Sequence, residues 1–325
     1  MAWRLRLVPE KTNIDFFRLQ FITFGTSVVL TLVTFILVAT LGLNFGVDFR
    51  GGTTIRTEST QAVDVAVYRD ALGALGLGDV SITEVFDPGF REDQHVAMIR
   101  IGAQEGSESV TPEVIERIET ALKVSDPAIT FPSIESVGPK VSSELIWSAL
   151  LAIAAGCAGI WIYVWLRFEW QFAVGTVVAL MHDVIVTVGV FSLFQLKFDL
   201  TIVAALLTIL GYSVNDTVVV FDRLRENLAK YKVMPLRDLM NLTANETLSR
   251  TIMTVMTTTI ALLALMVLGG DVIRGFVFAM LFGVFIGTYS TLYVAKNIVL
   301  FLGLDRSDKP KGGKVTDHEF ANIDA

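Results

Sequence analysis

Six long apolar runs constrain this chain more than any other feature of its sequence. They cover residues 21–41, 145–166, 172–194, 200–221, 251–268 and 275–302. About 20 apolar residues in a helix cross the hydrocarbon core of a bilayer, where a helix satisfies its own backbone hydrogen bonds. Only 18% of the residues are charged, against about 25% in soluble domains. The sequence therefore predicts a polytopic α-helical membrane protein with six transmembrane helices, of which helices 2 to 6 occupy residues 145–304.

A polar insert at residues 44–143 separates the first run from the second. Its apolar pattern predicts two helices and four strands. The helices fall at residues 63–75 and 111–123, and the strands at 53–58, 81–86, 95–101 and 129–137. The order β-α-β-β-α-β is that of the ferredoxin-like fold. We therefore expect one ferredoxin-like α+β domain between transmembrane helices 1 and 2.

Lysine and arginine are distributed unequally over the short loops between the runs. Most lie in residues 1–20, in an amphipathic segment at 223–249 and in the tail at 305–325, whereas the opposite short loops hold only Lys197 and Arg274. Since cytoplasmic loops are enriched in Lys and Arg, both termini are predicted to be cytoplasmic and the insert periplasmic. The first run ends without a small-residue cleavage site, which predicts a retained anchor. The polar tail is predicted to be disordered.

Several classes of function are disfavoured by what the sequence lacks. The only cysteine, Cys157, excludes an intrachain disulfide, and three scattered histidines give no metal-binding cluster. Residues 46–53 read GVDFRGGT, in which Gly52 stands where a phosphate loop needs lysine. No basic face for nucleic acid and no nucleophile–base pair is evident. We expect no cofactor, no metal, no nucleic-acid partner and no enzymatic activity.

The fourth run carries polar residues into the predicted bilayer. Residues 206–225 read LLTILGYSVNDTVVVFDRLR and include Tyr212, Ser213, Asn215 and Asp216. A carboxylate at the centre of a span costs about 2.5–3.5 kcal/mol and is by default a functional-site hypothesis. Thr208, Tyr212 and Asp216 share one helical stripe, with Ser213 beside it. The stripe favours proton handling, and a structural aspartate that ties helices together is the alternative.

The fifth run begins with a second polar stripe. It consists of Thr247, Arg250, Thr251, Thr254 and Thr258. The depth of these residues predicts that Arg250 lies close enough to pair with Asp216. The arginine would favour the charged form of Asp216, whereas desolvation opposes that form. Alternatively, such threonines only hydrogen-bond neighbouring helices.

Two further motifs have two interpretations each. His182 and Asp183 in the third run are either a helix-packing pair at mid-bilayer or part of a proton relay. Gly283 and Gly287 in the last run form a GxxxG pattern, which indicates a close helix contact within this chain or with a partner.

Together these motifs resemble the SecD/SecF family of bacterial protein-export membrane proteins. The resemblance covers nearly the whole chain and rests on long ordered motifs. They are FGVDFRGGT, ESVGPKVSSEL, RFEWQFAVGTVVALMHDVIVTVG, FDLTIVAALLTILGYSVNDTVVVFDRLREN and ETLSRTIMT. It implies the fold of the resistance-nodulation-division superfamily. The aspartate of the family's YSxND motif and the arginine of the fifth span belong to its proton path, and they match Asp216 and Arg250.

The resemblance also implies a job and a set of partners. SecD would supply a similar six-span half, and the pair would use the proton motive force to complete export of preproteins from the SecYEG translocon in the bacterial inner membrane. YajC and YidC are further candidate partners. Two alternatives remain at this point: half of a proton-driven exporter of a small molecule or lipid, and a non-conducting translocon scaffold.

Overall fold

The computed structural model describes residues 12–304 apart from 86–89, 92 and 103–109. The first part of the predicted N-terminal segment, the end of the predicted strand at 81–86 and the predicted tail at 305–325 lie outside the described residues. In chain order, the elements are α1 (Gln20–Thr40), β1 (Asn44–Phe45), α2 (Val47–Arg50), β2 (Gly52–Ser59), α3 (Val65–Gly73), β3 (Val80–Val85), β4 (His95–Ile101), α4 (Pro112–Ser125), β5 (Thr130–Val137), α5 (Pro139–Arg167), α6 (Trp170–Leu193), β6 (Lys197–Phe198), α7 (Leu200–Lys230), α8 (Leu236–Leu268), α9 (Asp271–Ser290), a π-helical turn (Thr291–Ala295) and α10 (Lys296–Leu302).

The six predicted spans are confirmed. In the described part of the chain, six helical stretches are long and apolar enough to cross a membrane: α1, most of α5, α6, α7, α8, and α9 together with the π-helical turn and α10. The third, fourth and sixth of these are the most buried and form the centre of the helical layer, whereas α1, α5 and α8 lie around them.

The amphipathic segment predicted at 223–249 consists of the continuations of α7 and α8. Helix α7 runs to Lys230, and α8 begins at Leu236 directly after Pro235, a residue that suits a helix start. The two helices are held together by the amide of Asn227, which donates to Thr243 Oγ1 at 3.0 Å and to Glu246 Oε2 at 2.7 Å.

The insert folds into one antiparallel sheet of four strands. The strand order is β3-β4-β2-β5, which is the ferredoxin-like order for strands in the sequence β-α-β-β-α-β. Helices α3 and α4 pack on one face of the sheet around a shared core. Its fully buried side chains include Ile55 and Ile99 of the strands and Leu72, Ile118 and Leu122 of the helices. The predicted domain is confirmed.

We expect the insert domain to fold alone, since it has its own closed core and about 90 residues suffice for a marginally stable domain. Expressed as residues 53–141, it should show a cooperative thermal transition and a mixed α/β circular dichroism spectrum. Ile99→Ala should lower its free energy of unfolding by about 2–5 kcal/mol, because it opens a cavity in the core. A disordered spectrum would contradict this expectation.

A short connection between the insert and the helical layer was not predicted. Strand β1 pairs in parallel with β6, at Asn44 with Lys197 and Phe45 with Phe198. Helix α2 follows β1 and is closed by Gly51 and Gly52, whose φ values of 74° and 123° favour glycine. We call β1 and β6 with α2 the clasp. Two-residue strands show no periodicity, so an alternation analysis does not detect them.

Candidate functional site

The glycines of the GxxxG pattern bring α9 against α7 within this chain. A Cβ atom at Gly283 would lie 2.3 Å from Ile209 Cγ1, and one at Gly287 would lie 3.1 Å from Ser213 Cβ. A side chain at Gly283 would clash and one at Gly287 would be tight, so the pattern serves an internal contact. The contact places the end of α9 beside both α7 and α6.

Asp183 lies at the junction of α6, α7 and α9 and is 0% exposed. Its Oδ2 accepts hydrogen bonds from Ser213 at 2.7 Å and from Ser290 at 2.8 Å. Its Oδ1 lies 3.2 Å from Nδ1 of His182. Each carboxylate oxygen therefore has a partner, as a buried polar group requires, and the residue joins three helices.

Ser290 and Thr291 were missed as site residues in the sequence. The hydroxyls of Thr217 and Thr291 lie 2.7 Å apart and are buried, so they extend the polar contact from α9 to the π-helical turn. The signal was the run of hydroxyl residues at 289–291 inside an apolar span. Single serines and threonines are common between packed helices, and the sequence does not show which of them face a carboxylate.

Asp216 lies on a different side of α7 and contacts α8. Its Oδ1 accepts a hydrogen bond from Thr251 at 2.8 Å. Its Oδ2 is buried and has no hydrogen-bond partner among the described residues. Asp216 is about 24 Å along the helix from Leu200, and Tyr212, one turn earlier, lies beside Thr258 of α8. One oxygen of this carboxylate is thus held and the other is open.

The expected direct pair of Asp216 with Arg250 is not formed. No ion pair joins Arg250 to a carboxylate within the described ranges, although the guanidinium is close enough for its charge to act on Asp216. The hydrogen-bond donor is instead Thr251, the next residue on α8. Arg250 is exposed and lines a polar cavity.

The cavity beside Arg250 has a volume of about 450 Å³ and lies between α5, α7 and α8. Two arginine groups on its wall are paired: Arg167 with Asp222 at 3.3 Å, and Arg223 with Glu246 at 2.8 Å. Val219, Arg223 and Glu226 on its wall follow Asp216 at helical spacing on one face of α7. The cavity therefore extends along the face of the helix that carries Asp216.

Among the described residues, the remaining predicted site residues form no hydrogen bond with Asp216. Ser213 belongs to the Asp183 cluster, with His182. Thr254 Oγ1 donates to the Arg250 carbonyl of its own helix at 2.6 Å. Asn215 faces away from the chain. The predicted set therefore divides into two groups, one centred on Asp183 and the other on Asp216.

Lys296 was overlooked in the sequence although it stands inside the last apolar run. It is 0% exposed, and its Nζ has no hydrogen-bond partner in the described part of the chain. Phe16 and Phe17 cover it, with ring centroids 4.8 Å and 5.3 Å from Nζ. The N-terminal segment therefore closes over a buried amine, whose protonated form the aromatic faces favour. A lysine near the end of a span resembles a headgroup-level residue in sequence, which explains the omission.

Among the described residues, no group of three or more His, Cys, Asp or Glu side chains is placed to hold a metal ion. Cys157, a free thiol, is buried.

Comparison with known families identifies the chain. The family described as "Protein export membrane protein SecD/SecF, C-terminal" matches residues 117–305, and the one described as "SecD/SecF GG Motif" matches residues 36–63. The chain belongs to the SecD/SecF family. The first match contains the clusters of both Asp183 and Asp216, and the second contains α2 and the double glycine that follows it.

Relatives and solved structures agree with this assignment. The chain is 72% identical over its full length to the full-length protein translocase subunit SecF of Cereibacter sphaeroides. It is 65% identical to that of Rhodobacter capsulatus over 96% of this chain and 95% of the relative. It is also similar to the crystal structure of SecDF, a translocon-associated membrane protein from Thermus thermophilus, with a TM-score of 0.79 and 33% identity over 91% of this chain. A SecDF structure in a super-membrane-facing form gives a TM-score of 0.67, with 34% identity over 92% of this chain. The chain spans 39% and 40% of those two SecDF chains.

Proposed function

We propose that this subunit works with SecD to promote late steps of preprotein export through SecYEG, driven by the proton motive force. One observation carries the proposal: Asp216 lies inside a span, with one carboxylate oxygen hydrogen-bonded to Thr251 and the other buried without a hydrogen-bond partner among the described residues. An ionisable residue in a membrane span is expensive and therefore functional by default. A purely structural carboxylate would have both oxygens partnered, as Asp183 has.

The geometry suggests how protonation could move the helices. When Asp216 is ionised, it attracts the nearby Arg250, and in a low-dielectric layer that attraction is stronger than in water. A proton on the unpartnered oxygen removes the attraction, and Arg250 is then held only by its contacts in the polar cavity that it lines. Thr251 holds Oδ1 in both states. Arg250 is on α8, so protonation changes the force between α7 and α8.

Asp183 takes a structural role in this proposal. Both of its oxygens have partners in Ser213, Ser290 and His182, so its contacts tie neighbouring helices together. Of the two interpretations of the His182–Asp183 pair, the contacts favour helix packing over a proton relay.

SecD is proposed to pack against an outward face of α7. That face is a stripe of small and polar side chains, all exposed: Ala204, Thr208, Gly211 and Asn215. Small residues let helices approach closely in a bilayer, and an amide can bond across the contact. This chain matches only 39% of the SecDF chain of Thermus thermophilus, so the rest of that chain is long enough to contain a second membrane half. We place that half across the stripe by a pseudo-two-fold axis, as in parallel-repeat transporters.

The SecD contact predicts unequal effects of two equivalent substitutions. Gly211 on α7 and Gly159 on α5 both have no atom within 4 Å of a built Cβ. Gly211→Leu should reduce co-purification of SecD by roughly tenfold, since overpacking a contact costs about 1–3 kcal/mol. Gly159→Leu, the matched control, should retain SecD. Equal recovery of SecD with both variants would refute this interface.

The orientation is also a proposal. The excess of lysine and arginine on one side supports cytoplasmic termini and a periplasmic insert domain in the inner membrane of a bacterium.

The proposed function is tested by export into inverted inner-membrane vesicles that contain the complex with SecD. A slow-secreting preprotein is followed at saturating ATP, with and without an uncoupler. We expect the complex to stimulate export only while the proton gradient is present. Stimulation that persists after the gradient is collapsed would leave the scaffold function in place of the proton-driven one.

A further inference from the structure

One side chain of the clasp, which the proposed function does not use, contacts the first turn of α7. Asp48 lies in the first turn of α2, and its Oδ2 accepts a hydrogen bond from the backbone N–H of Leu200 at 3.1 Å. Leu200 is the first residue of α7. The first backbone N–H groups of a helix have no partner within it, so Asp48 satisfies one of them from a distant part of the chain.

Helix α7 already has a local cap, which makes the second carboxylate unusual. Asp199 is its N-cap residue and accepts from the backbone N–H of Thr201 at 3.1 Å. Two carboxylates at one helix N-terminus suit the helix dipole but repel each other, so the arrangement needs cations.

The cations come from two different parts of the chain. Lys197 of β6 pairs with Asp199 at 3.0 Å. Arg100 belongs to β4 of the insert domain, and burial lowers the pKa of this guanidinium whereas the charges of Asp199 and Asp48 raise it. The cluster therefore combines the insert domain, the clasp and the α6–α7 connection.

The backbone fixes the same contact. Gly46 N donates to the Phe198 carbonyl at 2.8 Å. A Cβ atom at Gly46 would lie 3.1 Å from Asp199 Cβ and from Lys197 Cε, so glycine permits this approach. The rings of Phe45 and Phe49 each lie 6.0 Å from that of Phe198. The clasp therefore contacts the connection that leads into α7 through both its backbone and its side chains.

We propose that Asp48 is a positioning residue that couples the insert domain to α7, the helix that carries Asp216. The inference rests on the proposed function, because a movement of α7 matters for export only if Asp216 handles protons. A continuous helix of about 24 Å separates the cap from Asp216, so a shift at the first turn is transmitted to the carboxylate. The coupling acts in both directions: protonation of Asp216 alters the α7–α8 contact, and α7 then displaces the insert domain.

The test uses the full complex with SecD, made free of other cysteines, with spin labels at Thr120 of α4 and Leu200 of α7. Pulsed electron–electron double resonance between the two labels should give one narrow distance distribution for the wild type. Asp48→Ala should broaden this distribution. Loss of a capping acceptor should shift the equilibrium between the docked and the undocked clasp by roughly fivefold towards the undocked state. Export stimulation should fall with it, while the amount of SecD that co-purifies stays unchanged. Asp48→Asn keeps the acceptor for Leu200 but not the charge near Arg100, and should lie between the two.

Asp64 supplies the matched control. It also caps a helix, since its Oδ1 accepts from the N–H groups of Ala66 and Val67, but that helix is α3 inside the insert domain. Asp64→Ala should leave the distance distribution narrow. A narrow distribution for Asp48→Ala, or a broad one with wild-type export, would overturn the inference. The distance measurement needs no proton gradient, so failure of the proposed function through Asp216 would show separately, as loss of gradient dependence with the distance change intact.

Discussion

Asp183→Ala should destabilise the subunit by about 3 kcal/mol. The substitution leaves the hydroxyl of Ser213 buried without its acceptor and leaves Ser290 with only its bond to the Gly287 carbonyl, and an unsatisfied buried polar group costs about 1–3 kcal/mol. It also removes the partner of His182 Nδ1. The affected contacts join α6, α7 and α9, so the loss should appear in the unfolding of the whole helical layer.

Asp183→Asn should cost far less. The amide oxygen can take the position of Oδ2 and accept from both serines, and the amide nitrogen can donate to His182 Nδ1 when the imidazole proton is on Nε2. Ser290→Ala removes one of the hydrogen bonds and should be intermediate. Thermal unfolding of the detergent-solubilised complex measures all three. A structural Asp183 is refuted if the Asn variant is as unstable as the Ala variant, or if the Ala variant matches the wild type.

Asp216→Asn should reduce export stimulation nearly to the level seen without the subunit, with normal membrane insertion and SecD association. Asparagine keeps the size of the side chain and the acceptor for Thr251, but it does not take up and release a proton. Asp216→Glu should retain part of the activity, because it still titrates although its carboxylate lies one methylene further out. A structural aspartate gives the opposite order, since Asn fits and Glu must be packed.

The chain contains its own control for this experiment. Asp183→Asn is the same chemical change on the neighbouring helix α6, and we expect nearly wild-type export from it. Arg250→Lys should be impaired, since lysine keeps the charge but loses the planar fork of the guanidinium. The readout is export of a slow-secreting preprotein at a fixed proton gradient, with protein levels checked by immunoblot. Wild-type export by the Asp216→Asn variant would contradict proton handling at this residue.

The spans and the insert domain were predictable because each rests on a strong local pattern. Apolar runs of the length of a bilayer have few alternative structures, and the alternation within residues 44–143 distinguishes strands from helices. The extension of α7 to Lys230 was less predictable. The amphipathic pattern of residues 223–249 does not show where α7 ends, and the hydrogen bonds of Asn227 with Thr243 and Glu246 that hold the two helices together become visible only in the folded chain.

The contacts of the candidate site residues were not predictable from the sequence. Helical rise gives the depth of Asp216 and Arg250, yet the rotation of α8 about its axis decides whether Arg250 or Thr251 meets the carboxylate. Likewise, Ser213 and Asp216 are three residues apart on α7, and the contact with α9 at Gly287 is what turns Ser213 towards Asp183. The clasp depends on residues some 150 positions apart, which no local pattern reports.

Infrared difference spectroscopy on the complex with SecD tests the central claim most directly. A protonated carboxylic acid has a carbonyl band that the ionised form lacks, so a pH step reveals each carboxyl group that changes its proton. We expect one acid band to disappear in Asp216→Asn and to persist in Asp183→Asn. A spectrum of Asp216→Asn identical to the wild type would show that Asp216 keeps one protonation state, and it would contradict proton coupling through this residue.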